Sequence, residues 1–282
     1  MNIAPPPYSA AARDASQCDP QYRSLWHRIA CYCPLWELDA EGDGNLNDLA
    51  ASREWNPTNQ TSSQTAMGRA ITGFGSSDRI VGGNVVSTER LMMNDAEGFS
   101  LMFVGSTGPK AWANGFPRII DKSNGSGGQN GWASFMDSAN DDWEVQVTGG
   151  ATSGFDIPTS FWDDVVRVWV MTLDAGGDGL AYIGTEVILA ASQTASSWPR
   201  PIHNGIQISI GNWNHTSGRA WDGELCAVAV WDRMLADNEV WKLIANPYGM
   251  VTPKRRRSYV VPAVGGLSIP VAHRHYMNIG AR

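Results

Sequence analysis

Gly205–Tyr248 reads GIQISIGNWNHTSGRAWDGELCAVAVWDRMLADNEVWKLIANPY. Ile206, Ile208 and Ile210 alternate with Gln207 and Ser209, the two-residue period of a half-buried strand. A polar loop follows over Asn212–Arg219. Trp221-Asp222-Gly223 then turns the chain into a second strand, Glu224–Trp231, dense in β-branched and aromatic residues. Asp232-Arg233 breaks that strand. Asp237 reads as the N-cap of a short helix carrying Val240, Trp241, Leu243 and Ile244 on one face. Pro247 cannot continue a helix, so Asn246-Pro247-Tyr248 stops it.

Outward from this stretch the chain keeps the same character. Alternation resumes over Phe99–Val104, and Arg118-Ile119-Ile120-Asp121-Lys122 reads as a further strand. A Gly/Ser/Asn loop, Ser123–Gly131, separates it from Trp132–Met136. Trp143, Val145 and Val147 alternate with Glu144 and Gln146. Trp162–Leu173 reads as a strand, Asp174–Gly179 as a turn, and Leu180–Ile183 with Glu186–Leu189 as a hairpin around Gly184-Thr185. The count reaches about a dozen strands at turn-to-turn spacings that suit a two-sheet sandwich.

Composition agrees. Gly 30, Pro 15 and only 17% charged residues fit a turn-rich β protein. Trp 13 is high for 282 residues, so some indoles line the core and a surplus is left for surfaces. A formal charge of −7 argues against general nucleic-acid binding. Cys18, Cys31, Cys33 and Cys226 have no zinc spacing, and neighbours two apart rarely bridge, so they read as reduced, partly buried thiols. The first residues, MNIAPPPYSAAARDASQ, lack a basic region followed by an apolar one, and no apolar run approaches a membrane span. The expectation is synthesis in a cytoplasm with no membrane contact.

Ile210-Gly211, Trp221, Gly223, Val228, Trp231, Arg233, Leu235, Glu239 and Asn246-Pro247-Tyr248 fall in order at natural spacing. This pattern resembles the closing segment of a concanavalin A-like, laminin-G-type jelly roll. Gly68–Gly75 with Ser77–Val81, the strand at Arg118–Lys122 and the strand at Trp162–Leu173 resemble further strands of that family. Gly44–Ala50 keeps its Asp48-Leu49 core but not its flanking Ser-Gly and Asn-His-Gly. The opening Leu25-Trp26-His27-Arg28-Ile29-Ala30 with Cys33-Pro34 resembles laminin-G-like domains of bacteriophage and prophage proteins. The resemblance implies an all-β, concanavalin A-like jelly-roll sandwich of two antiparallel sheets over residues 25–249, with one short C-terminal helix. Residues 1–24 read as an extended N-terminal arm, because Pro5-Pro6-Pro7 is stiff and the Ser/Ala/Asp-rich run after it has little to bury. Residues 250–282 read as a second extended arm.

Several residue sets bear on function. Glu37-Leu38-Asp39-Ala40-Glu41 fits the E-x-D-x-E string of one glucanase family. It lies near the domain's start, however, and runs into the turn Gly42-Asp43-Gly44, so a solvated acidic loop is preferred and no catalytic residue is assigned. Asp137, Asn140 and Asp141, with Asp142, form an oxygen-rich cluster that suits Ca²⁺ or, without metal, Asx-turn chemistry. Trp112, Asn114, Trp132, Asn212, Trp213 and His215 form a candidate glycan-binding set: aromatic faces stack on sugars, and amide and imidazole groups bond hydroxyls. Lys254, Arg255, Arg256 and Arg257, followed by apolar Tyr259, Val261, Ile269 and Val271, form a candidate partner-binding arm. No nucleophile elbow, phosphate loop or metal-binding His pattern occurs, so the chain is expected not to be an enzyme.

The resemblance therefore implies a structural protein of a virus particle, a tailed-phage capsid decoration or tail-associated protein. It would be located in the virion, attached through its arms to other virion proteins, homo-oligomeric, and in contact with host-surface glycans. The alternative is a lectin-like carbohydrate-binding module without a virion role.

Overall fold

The computed structural model describes residues 4–37, 46–51, 53–58, 60–74, 78–84, 90–92, 97–108, 115–123, 131–137, 139–147, 151–189, 192–193, 207–213 and 219–254. The described strands begin with β1 (Ile29–Cys33), β2 (Leu46–Asn47), β3 (Glu54–Pro57), β4 (Thr61–Thr65), β5 (Gly68–Thr72) and β6 (Ile80–Asn84). They continue with β7 (Gly98–Gly105), β8 (Arg118–Asp121), β9 (Trp132–Asp137), β10 (Asp142–Val147), β11 (Ala151–Asp156) and β12 (Arg167–Asp174). β13 (Gly179–Ile183), β14 (Glu186–Leu189), β15 (Ser192–Gln193), β16 (Gln207–Ile210) and β17 (Leu225–Trp231) precede the helix α1 (Asp237–Ala245). One sheet has eight strands in the order β14-β13-β12-β7-β17-β5-β4, with β1 also paired to β17. The other has nine, β15-β11-β10-β9-β8-β16-β6-β3-β2. The strand pairs are antiparallel. This is the expected two-sheet jelly roll.

Aromatic side chains from both sheets fill the space between them. Phe103 of β7 stacks on Trp169 of β12, centroids 5.1 Å apart, and meets Trp143 and Trp221 edge-on at 5.4 and 5.5 Å. The indole N–H groups of these three tryptophans find acceptors: Trp143 donates to Ser134 Oγ, Trp169 to Gly105 O and Trp221 to Ser106 O. Gly211 explains the Ile-Gly motif after β16. Its φ is +81°, and a Cβ there would lie 2.1 Å from the Phe74 ring. The half-buried reading of β16 needs adjustment. Gln207 is exposed, but Ser209 is as buried as Ile208 and Ile210, because β16 lies between β8 and β6 and Ser209 Oγ donates to Asn212 O.

A second apolar layer covers the outer face of the eight-stranded sheet. Here the reading of residues 1–24 as an arm gives way. Asp19 accepts from Gln21 N and starts a 3-10 turn, Pro20–Trp26, with Pro at its first position. Ala11, Ala12, Cys18 and Tyr22 are buried. Ala12 N donates to Val251 O, Trp26 Nε1 to Met250 O and Lys254 N to Gln17 O. Residues 250–254, assigned to the second arm, thus lie against the N-terminal segment. Small and aromatic side chains some 230 positions apart supply the apolar surface that neither segment has alone.

Three local readings shift. Ala236, not Asp237, caps α1: Glu239 reaches back to Ala236 N at 3.1 Å, and Asp237 Oδ1 instead accepts from Tyr182 OH at 3.0 Å. Trp241 does not share the packed face of Val240 and Leu243. It stands on the exposed flank, edge-on to Tyr182 at 5.7 Å. β12 starts at Arg167 rather than Trp162, because Asp163 caps Val165 N and holds the Arg167 guanidinium in a bend.

Candidate functional site

The outer face of the nine-stranded sheet has no such apolar cover among the described residues. Period-two geometry sends Trp143, Val145 and Val147 of β10 inward, so Asp142, Glu144 and Gln146 face out. Register then lines up side chains from neighbouring strands. Asp142 is directly opposite Asp137 on one side and Asp156 on the other. Glu144 is opposite Phe135, and Phe135 is opposite Arg118.

The second of these rows leads into a ladder of rings and guanidinium groups. Arg118 Cζ lies 4.1 Å from the Phe135 centroid, and Phe135 meets Phe116 edge-on at 5.9 Å. Arg219 Cζ lies 5.2 Å from the Phe116 centroid and 4.3 Å from that of Trp213. Each such contact is worth about 0.5–2 kcal/mol, more where water is excluded. Phe116 is 38% exposed and Arg219 partly so, whereas Arg118 is covered. Arg118 Nε is 3.3 Å from Asp121 Oδ2, while its Nε and Nη1 have no hydrogen-bond partner among the described residues. Burial pulls the Arg118 guanidinium down to about 10, against the opposing pull of Asp121. Arg118 therefore acts on this face through its charge, and Phe116, Arg219 and Glu144 are the groups open to a ligand.

The acidic row carries the opposite charge. Burial pushes the Asp142 carboxyl up to about 7, reinforced by Asp156, Asp137 and Asp141. Glu144 is pushed up to about 7 by burial and by Asp137 and Asp142, with Arg118 opposing. Burial first, and then repulsion from the carboxylates brought alongside, favours the protonated form of Asp142 and Glu144. Asp137 accepts from Ala139 N at 2.9 Å and from Asn140 Nδ2 at 2.7 Å, an Asx-type turn that holds Asn140 beside it, with Asp141 next in a left-handed conformation at φ +63°. No three His, Cys, Asp or Glu side chains among the described residues are arranged to hold a metal ion.

The residues singled out for glycans separate. Trp132 is in the core, 1% exposed, its indole N–H donating to Leu91 O at 2.7 Å, so neither ring face is open to a sugar. Asn212 is fully buried. Its Oδ1 accepts from Trp213 N and Arg219 N and its Nδ2 donates to Asp78 O, so it pins the loop ends instead of meeting solvent. Trp213 is 8% exposed but belongs to the ladder through Arg219. Trp112, Asn114 and His215 lie outside the described residues, as do Arg255, Arg256, Arg257, Tyr259, Val261, Ile269 and Val271. Of the acidic string, Glu37 ends a 3-10 turn and accepts from Trp36 Nε1; Asp39 and Glu41 lie outside the described residues. Arg118, Phe116, Phe135, Arg219 and Asp156 were not singled out from sequence. The outward alternation of Glu144 and Gln146 and the oxygen-rich cluster at Asp137–Asp142 were the legible pointers to this face.

The architecture defines a two-sheet antiparallel sandwich with one apolar and one polar outer face. Residues 83–241, more than half of the chain, match the family model described as the concanavalin A-like lectin/glucanases superfamily, and the chain belongs to that superfamily. No curated protein matches the chain. Among solved structures it is similar to the Trypanosoma rangeli sialidase in complex with the inhibitor DANA, at TM-score 0.53 and 14% identity, over 79% of this chain and 34% of that one. It is also similar to the binding domain of Paraclostridial mosquitocidal protein 1, at TM-score 0.55 and 15% identity, over 78% of this chain and 52% of that one. The binding domain of botulinum neurotoxin DC, solved with rat synaptotagmin II, aligns at TM-score 0.50 and 13% identity over 78% and 52%. The chain thus spans about a third to a half of the length of these proteins, and at such identities the likeness is one of fold.

Proposed function

We propose that this chain is a non-enzymatic binding protein whose nine-stranded sheet presents Phe116, Arg219 and Glu144, backed by the buried rings of Phe135 and Trp213, to glycans of a host surface. The observation that carries this reading is the exposed Phe116 ring, edge-on to Phe135 and beside the Arg219 guanidinium, on a lectin-type sheet face. A ring of this kind covers the C–H face of a sugar, while Arg219 and Glu144 bond its hydroxyls. In this proposal the protein is a structural component of a virus particle, of the tailed-phage decoration or tail-associated kind. It is held to other virion proteins by the cationic, apolar segment after Lys254. The opening motif at Leu25–Pro34 and the cationic, apolar segment after Lys254 support that role.

The test is retention of the full-length protein in native gels cast with host-envelope polysaccharide. The expected outcome is retardation that Phe116→Ala or Arg219→Ala abolishes, with no release of reducing sugar. Unretarded wild-type protein would remove the glycan reading. Hydrolysis lost in a Glu144→Gln variant would replace binding by catalysis.

A further inference from the structure

All 28 Asp and Glu residues lie before Val240, whereas residues 254–282 carry six Lys or Arg and no carboxylate. The segment after Lys254 is thus cationic and, at Tyr259-Val260-Val261 and Leu267–Val271, apolar and strand-like. A surface of complementary character lies at the far end of the eight-stranded sheet. Val187 of β14 is 47% exposed and Trp241 of α1 is 41% exposed. Tyr182 is opposite Val187 in the β13–β14 ladder and edge-on to Trp241, joining the two into one apolar shelf. Exposed Glu186 and Asp237 flank it. β14 ends its sheet, so among the described strands nothing pairs with its outer edge.

We propose that the β14 edge and the Val187–Tyr182–Trp241 shelf receive the segment Tyr259–Val271 of a second copy of this chain. Backbone pairing to the edge supplies affinity, Val and Ile side chains cover the shelf, and Arg255–Arg257 face Glu186 and Asp237. Pro262 and Pro270 are tolerated in a strand that pairs on one side only. Geometry favours a neighbour over the same chain. Lys254 leaves from the contact with Gln17, where residues 248–254 lie over the β17–β5 half of the sheet. That is four or five strand spacings from β14, about 19–24 Å, with α1 between. The five residues from Lys254 to Tyr259 span at most about 18 Å. The contact joins unlike surfaces, so it propagates from copy to copy or closes into a ring. This inference stands whether or not the protein belongs to a virion.

The experiment is light scattering on three full-length proteins: wild type, Val187→Lys with a blocked shelf, and Val261→Asp with a spoiled segment. Val187 is exposed, so its replacement leaves folding intact, checked by an unchanged melting curve. The expected result is an oligomeric wild type, with each variant associating at least tenfold more weakly. Mixing the two variants restores a dimer, because one donates its segment and the other its shelf. A monomeric wild type at tens of micromolar, or variants that fail to complement on mixing, would overturn the proposal.

Discussion

The two outer faces of this sandwich were built differently from similar strands. On the eight-stranded sheet, outward residues such as Met102, Val104, Ala229 and Trp231 are apolar and buried under α1 and the paired terminal segments. On the nine-stranded sheet the outward residues are Arg118, Asp137, Asp142 and Glu144, with aromatic rings between the charges. The first face holds the molecule together. The second keeps like charges in register at a cost to stability, and such a cost is expected where a surface serves binding.

The sharpest contrast comes from truncating one side chain on each face. Trp231→Ala removes a buried indole and its hydrogen bond to Leu25 O, and is expected to cost about 4 kcal/mol in chemical denaturation. Phe116→Ala on the other face loses only its contacts with Phe135 and Arg219 and is expected to cost about 1 kcal/mol while abolishing glycan retention. An equal cost for both would erase the distinction between the faces.

Asp121→Ala comes next. It leaves the buried Arg118 guanidinium without its 3.3 Å counter-charge and is expected to cost about 3 kcal/mol. Replacing Arg118 and Asp121 together by Met and Leu is expected to recover most of that loss in the same measurement.

A smaller effect is pH. Asp142 and Glu144 hold protons more tightly in the folded chain than in the unfolded one. Their contribution is therefore fully present below about pH 4, under the unfolded values, and is lost as pH rises through about 7. The loss is visible as a falling midpoint in melts across that window, and Asp142→Asn should flatten the slope.

Much of the strand framework was legible because its signals are local. The hairpin at β13–β14 was marked by Gly184-Thr185, β17 by its dense β-branched run, and α1 by its period and its Pro247 stop. The terminal segments were not legible. Ala11, Cys18 and Tyr22 look too sparse to bury anything until Met250 and Val251, far away in sequence, are laid against them. The candidate site was hidden for the same reason. Arg118, Phe135 and Glu144 become neighbours only through strand register, and Arg219 joins them through the loop ends that Asn212 pins. Trp132 misled because it borders a Gly-rich stretch at the start of its strand, whereas its ring turns into the core and is covered on both faces.

The most direct test of the division between a covered face and a binding face is hydrogen exchange on the full-length protein with and without a retained polysaccharide. The account predicts slowed exchange in residues 115–121 and 132–144, and no change in residues 11–26 or 237–251. Protection confined to α1 and the terminal segments, with β8–β10 unaffected, would contradict it.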